Sequence, residues 1–231
     1  MSAPLPAQEL RDRTVGDIAA TIPGATAILR RFGINFCCGG ELTLQEAASR
    51  RGASVAELES ALREVRGLAS SDSPSPASMN DADLASYIVS HYHGAYRRML
   101  PELIALSTKV EAVHRAKPNV PAGLADALQR MEAQLAEHMR YGEETLFPAI
   151  QKGDRTNTTK FVAQLQTDHD QQAAAMEQIE KLTGGFEPPV GACRSWQALY
   201  LGGARLAEDL MEHIYLENNV LFPRLVDSAQ S

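Results

Sequence analysis

Only three cysteines occur in 231 residues, two of them adjacent at Cys37 and Cys38 and the third far off at Cys193, so no disulfide framework is present. Neighbouring Cα atoms, about 3.8 Å apart across a trans peptide, lie below the usual disulfide separation. The three are therefore read as thiols, metal ligands or redox groups, as a reducing compartment would keep them. No apolar run approaches the roughly 18 to 20 residues that a membrane helix needs. The start, MSAPLPAQELRDR, has no apolar core after a charged flank and does not read as a leader. Positive charge is scarce too: 22 Lys and Arg stand against 29 Asp and Glu, a formal charge of −7, with no basic patch interleaved with aromatics. That excludes the usual nucleic-acid surface. The expectation is a cytoplasmic protein with neither membrane nor nucleic acid as partner, long enough for one or two domains with a real core.

Punctuation along the chain sets the organisation. Residues 67–79, GLASSDSPSPASM, are rich in Ser, Pro and Ala without apolar periodicity and read as a flexible linker. Before it, residues 1–66 read as a small helical domain. Thr14, Thr43 with Glu46, and Ser54 with Glu57 stand where N-caps and capping boxes belong, and Pro23 stands at a helix start. After it, residues 80–231 hold four long helical segments, at about 80–116 (with a kink expected at Pro101), 121–150, 156–183 and 191–226. Short connections marked by Pro118, Pro121, Gly184-Gly185 and Pro188-Pro189 make this an all-α, up-down-up-down four-helix bundle.

What the chain does have is a repeat. HMRYGEETLFP at 138–148 and HIYLENNVLFP at 213–223 place a histidine at the same distance before Leu-Phe-Pro. His93 precedes His169 by 76 residues much as His138 precedes His213 by 75, so two matching halves offer two imidazoles each. The helical stripes are Val89, His93, Tyr96, Leu100; Leu124, Leu128, Met131, Leu135, His138; Val162, Leu165, His169, Gln172, Met176, Ile179; and Leu206, Leu210, His213, Glu217, Val220. All four histidines therefore face the core. Burying four imidazoles and the Glu217 carboxylate is costly unless their lone pairs and charge are used, and a metal uses them. His213 and Glu217, four apart, differ by about 40° in azimuth and ~6 Å along the axis, so both converge on the interior. Imidazole with carboxylate suits iron, zinc, copper or manganese, and a carboxylate among imidazoles favours a bridged binuclear centre.

Other residues have plainer readings. The Leu-Phe-Pro tripeptides pack, with proline ending the helix or capping its last turn. His91 is turned about 200° from His93, toward solvent, and His114 lies ~30 Å along the axis from His93. Tyr96, Tyr141 and Cys193 are read as packing. In NFCCGG the Gly39-Gly40 pair permits positive φ and close approach of another surface, leaving Cys37 and Cys38 on a mobile turn. Thiols there could ligate iron in transit, exchange disulfides or join two chains.

The His-x-x-x-Glu pair with Leu-Phe-Pro resembles the hemerythrin-like four-helix bundle. NFCCGG at 35–40 resembles the N-terminal domain of the di-iron proteins that repair iron-sulfur clusters (repair of iron centres), and LPEL at 100–103, KVEAVHRAKP at 109–118 and HIYLENNVLFP extend the resemblance over nearly the whole chain. The resemblance implies a non-haem centre of two irons per chain, with His93, His138, His169, His213 and Glu217 as ligands. It implies a role in recovery of iron-sulfur proteins after nitrosative or oxidative stress, by iron donation or nitric oxide removal. Damaged or apo iron-sulfur proteins are then the partners, nitric oxide or oxygen the small ligand, Cys37 and Cys38 redox or iron-transfer groups, and a homodimer stays open. A nitric oxide or oxygen scavenger or sensor is the alternative, and nitric oxide reductase activity is a third reading.

One position departs from that pattern. A second bridging Glu is expected four residues after His138, where this chain has Gly142 followed by Glu143 and Glu144. In a regular helix Glu143 lies about 140° round from His138 and joins the metal only through a π-bulge. The alternatives are water or an anion in place of the carboxylate, or a centre weakened toward one metal.

Overall fold

The computed structural model describes residues 9–22, 24–34, 36, 40–68, 76–154 and 158–227. Two compact units emerge: Met1–Met79 together with Ile214–Val220, and Asn80–His213 together with Leu221–Ser231. Among the described residues there is no strand, only an isolated bridge between Thr14 and Thr43.

The first unit is built on caps. Thr14 Oγ1 accepts from Asp17 N at the start of α1 (Val15–Thr21). Thr43 and Glu46 form a reciprocal capping box on α3 (Leu44–Arg51), which follows α2 (Ala25–Arg31). Ser54 Oγ accepts from Glu57 N at 3.4 Å, opening α4 (Val55–Leu68). Pro23 lies outside the described residues. Val15, Ile18, Ile22, Leu29, Ile34, Phe36, Leu44, Leu58 and Leu62 are buried and form the apolar centre. Glu59 is buried among them, and its carboxylate accepts from Arg11 through the backbone N–H and the guanidinium. The hydrogen bond from Arg11 holds the Glu59 carboxyl below the usual carboxylate range, against the opposing effect of burial.

Phe36 and Gly40, which flank the vicinal cysteines in sequence, are both buried. Phe36 is buried and meets the Tyr215 ring edge-on at 5.8 Å, Tyr215 Oη donates to Gly16 O at 3.2 Å, and Gly16 N donates to Gly40 O at 2.9 Å. A Cβ on Gly40 would stand 2.2 Å from Asn219 Oδ1, so here glycine serves close approach. Cys37, Cys38 and Gly39 lie outside the described residues, as do residues 69–75 of the linker.

Four rods carry the rest. The first is α5 (Asp81–Ile88), a π segment (Val89–His93) and α6 (Gly94–His114). The second is α7 (Leu124–Tyr141), a π segment (Gly142–Leu146) and α8 (Phe147–Lys152). The third is α9 (Thr158–Thr183), and the fourth is α10 (Arg194–Tyr215), a π segment (Leu216–Leu221) and α11 (Phe222–Asp227). The Glu111 carboxylate near the end of α6 accepts from Gly123 N at 3.1 Å and Ala125 N at 2.7 Å, capping α7 with a side chain of its neighbour.

Pro101 sits inside α6, which runs on through it, and the register breaks earlier, in the π segment Val89–His93. Two expectations fail here. The expected stripe shifts accordingly: Val89 is only half-buried, and Ile88 takes its place in the core. Nor do Pro148 and Pro223 end their helices, since α8 and α11 run on past them. Proline removes a hydrogen bond and crowds the carbonyl four residues back, and the wider π turn just before each Phe-Pro relieves that crowding.

Glu59→Gln, which keeps shape and loses charge, is expected to cost about 1 kcal/mol of stability at neutral pH. Because the folded-state pKa is depressed, the wild-type advantage is present above the unfolded carboxylate value and is lost as pH falls through the folded one. Urea denaturation of both chains at neutral and acidic pH checks this: an equal gap at both pH values removes the charge from the explanation.

Candidate metal centre

Each π segment lies in a rod that supplies a buried histidine. A π turn adds one residue to a helical turn, so positions that a regular helix would point apart can both face inward. Tyr92 and His93 are adjacent and both buried for this reason. His138 comes from the last turn of α7, His169 from the middle of α9 and His213 from the last turn of α10, while Glu217 is the second residue of the third π segment.

His93, His138, His213 and Glu217 are each at most 1% exposed, and one donor atom from each lies within 4.8 Å of the others. His213 is central, with ring centroids 5.1 Å from His93, 5.4 Å from His138 and 6.0 Å from His169. His169 is fully buried and stands 4.8 Å from the His138 ring, beside that group of four. Three imidazoles and a carboxylate this close and this dry are an N/O donor set suited to iron, zinc or manganese, and an unused carboxylate at such depth would be expensive.

Aromatic rings wall the centre. Phe147 stacks on His93 (6.0 Å, 27°) and Phe222 on His169 (5.8 Å, 8°), so the phenylalanine of each Leu-Phe-Pro covers a histidine of another rod. Tyr92 stacks on His213 at 5.6 Å, and Tyr96 tilts against the same ring at 5.8 Å. The repeated Phe nine residues after a histidine is the sequence signal for this covering role, beyond the plain packing assigned to it.

Two carboxylates stand behind the imidazoles. Glu143 Oε1 is 2.7 Å from His93 Nδ1, and both Glu143 oxygens accept from Arg97 Nη2. Burial pushes the Glu143 carboxyl up, but the bonds from His93 and Arg97 outweigh it and hold it below the usual range. Asp168 Oδ2 lies 3.7 Å from His138 Nδ1, and that contact lowers the Asp168 carboxyl. Such partners fix an imidazole's tautomer and aim its other nitrogen. The π turn considered for Glu143 is therefore present, yet its carboxylate goes to the outer nitrogen of His93 and is not one of the four convergent donors. Asp168 was not singled out from sequence, although its place directly before His169 is a usable signal. Gln172, one turn past His169, is 1% exposed, and neither amide atom has a hydrogen-bond partner among the described residues.

The remaining candidates sit elsewhere. His91 is exposed and stacks on Tyr87 at 4.9 Å, and Tyr141 meets Phe161 edge-on at 6.0 Å. His114 and Cys193 lie against each other, where Cys193 had been expected only to pack. Cys37 and Cys38 lie outside the described residues.

Comparison with known proteins gives two family matches: the hemerythrin HHE cation binding domain over residues 84–225, and a domain of unknown function, DUF542 (ScdA_N), over residues 11–66. The chain is 41% identical over 220 residues to the iron-sulfur cluster repair protein YtfE of Dickeya chrysanthemi, covering 93% of this chain and 96% of that one. It is 40% identical over 214 residues to the protein of that name in Pectobacterium atrosepticum and 39% over 217 residues to that of Escherichia coli, with the same two coverages.

Two substitutions test the geometry. Asp168→Asn is expected to speed metal loss to a chelator by roughly 10- to 100-fold with helicity unchanged, and an unaltered rate removes Asp168 from any supporting role. At Gly142 a Cβ would meet only the Phe147 ring, at an ordinary 3.6 Å. Gly142→Glu is thus expected to fold normally and to raise the iron retained per chain after desalting. Unchanged or lower retention counts against this position as a carboxylate site.

Proposed function

This chain belongs to the hemerythrin HHE cation binding family, and from that premise we propose that it is a di-iron protein serving the repair of iron-sulfur clusters damaged by nitrosative or oxidative stress. The observation that carries the reading is the buried group of His93, His138, His213 and Glu217 with His169 beside it. The iron-sulfur cluster repair names of relatives that match the chain almost end to end support the direction. His93, His138, His169, His213 and Glu217 would hold the metal. Iron bound there supplies an exchangeable cation with affinity for nitric oxide and oxygen.

The residues of this chain bias that centre toward release. Glu217 is the single carboxylate among the converging donors, and neutral imidazoles contribute no charge to offset two cations. Glu143 and Asp168 supply negative charge one step out, and Glu143 shares its charge with Arg97. Iron donation to damaged or apo iron-sulfur proteins is the mechanism this balance favours over nitric oxide removal. Cys37 and Cys38 take the role of receiving iron or exchanging electrons on the way out. Phe36 and Gly40, their neighbours in sequence, approach Tyr215 and Asn219, two residues to either side of Glu217, which supports the reading. No helix among the described residues is long and apolar enough to cross a membrane, and free thiols fit a reducing cytoplasm.

The test is iron transfer from the loaded chain to an apo iron-sulfur protein, followed by recovery of its cluster absorbance. Cys37→Ser with Cys38→Ser is expected to keep the bundle iron but slow the transfer. Full transfer by that double variant removes the cysteines from the mechanism. Rapid spectral change with nitric oxide and no transfer by wild type would replace donation with scavenging.

A further inference from the structure

A second reactive pair lies at the other end of the bundle. His114 Nε2 stands 3.2 Å from Cys193 Sγ, two residues 79 positions apart in the chain. By the rise of a regular helix His114 is about 30 Å from His93, too far to serve the histidine cluster.

The surroundings suit a nucleophilic sulfur. Cys193 immediately precedes the 22-residue α10, and its carbonyl accepts from Gln197 N at 3.0 Å, so the thiol sits on the N-cap. The amides and dipole of that helix end favour negative charge on an atom placed there. Lys117 Nζ donates to Gly191 O at 3.4 Å, tying the end of the first rod to the loop before Cys193. The imidazole is held in place by the fully buried Trp196, with ring centroids 5.2 Å apart. Both Cys193 and His114 are partly exposed, so a small reagent can reach them. A thiol with a base at hydrogen-bond distance, on a helix N-terminus and open to solvent, meets the requirements of an activated nucleophile.

We propose that Cys193 and His114 form a nucleophile–base pair that reacts with hydroperoxides, a thiol site separate from the histidine cluster. His114 Nε2 takes the thiol proton as the sulfur attacks one peroxide oxygen. The S–O bond forms, the O–O bond breaks, and the leaving oxygen collects the proton from His114. Sulfur is oxidised by two electrons to a sulfenic acid, and hydrogen peroxide is reduced to water or an organic hydroperoxide to its alcohol.

The experiment uses the full chain carrying Cys37→Ser and Cys38→Ser, which leaves Cys193 as the sole thiol. Iodoacetamide alkylation at neutral pH is expected to run about tenfold faster than on a peptide with the sequence of residues 190–197. Hydrogen peroxide with dimedone is expected to give a sulfenic adduct on the Cys193 peptide by mass. His114→Gln is expected to bring alkylation down to the peptide rate with iron content and helicity unchanged. Alkylation at the peptide rate in the chain that retains His114, absence of the adduct, or unchanged reactivity in His114→Gln each overturns the proposal. Iron content is read separately, so loss of iron with an intact reactive thiol would strike only the metal reading.

Discussion

The Glu217 carboxylate and four imidazoles sit at the centre of an apolar bundle, and the rest of the molecule accommodates that fact. Leu135, Leu146, Leu165, Leu206 and Leu210 are buried on the same rods, and an apolar interior raises the cost of any unsatisfied charge and strengthens each interaction that satisfies it. Aromatic rings at Tyr92, Tyr96, Phe147 and Phe222 pack against three of the imidazoles. One carboxylate, Glu143, bonds His93 Nδ1 at 2.7 Å, and a second, Asp168, lies 3.7 Å from His138 Nδ1. On the proposed reading, a metal bound by these groups would couple its own binding to folding.

The π turns are how the sequence fits this centre into rods. An ideal helix returns to one face every three or four residues, too coarse to bring both Tyr92 and His93 inward. Inserting a residue in one turn costs local hydrogen-bond quality, and it is stable where packing around it is dense. In the second and fourth rods the insertion ends where Phe-Pro begins. A proline that would damage an α-helix is there matched to a turn already widened.

Much of this was legible beforehand. That the four histidines and Glu217 face inward is legible in their spacing, because a stripe of period 3.6 and a duplicated interval are properties of the string itself. Capping residues Thr14, Thr43 and Ser54 were equally readable, since a cap depends on neighbours within four positions. The misreadings share one cause. Pro148, Pro223 and Val89 are read on a regular helix, and an added residue per turn is invisible to a pattern that assumes none. Asp168 and the His114–Cys193 contact were missed for another reason: each depends on which rods become neighbours, and 79 positions of chain carry no record of a 3.2 Å contact.

The Glu111 carboxylate that seizes the first amides of α7 has a mechanical consequence. It rivets the hinge between the first two rods at the extremity remote from the histidines, whereas the π turns, with their poorer hydrogen bonds, lie beside the histidines. Local opening is thereby expected to be graded along the bundle, rarer at the riveted extremity and more frequent beside the histidines. On the proposed reading, an ion held there would come free without unfastening the frame.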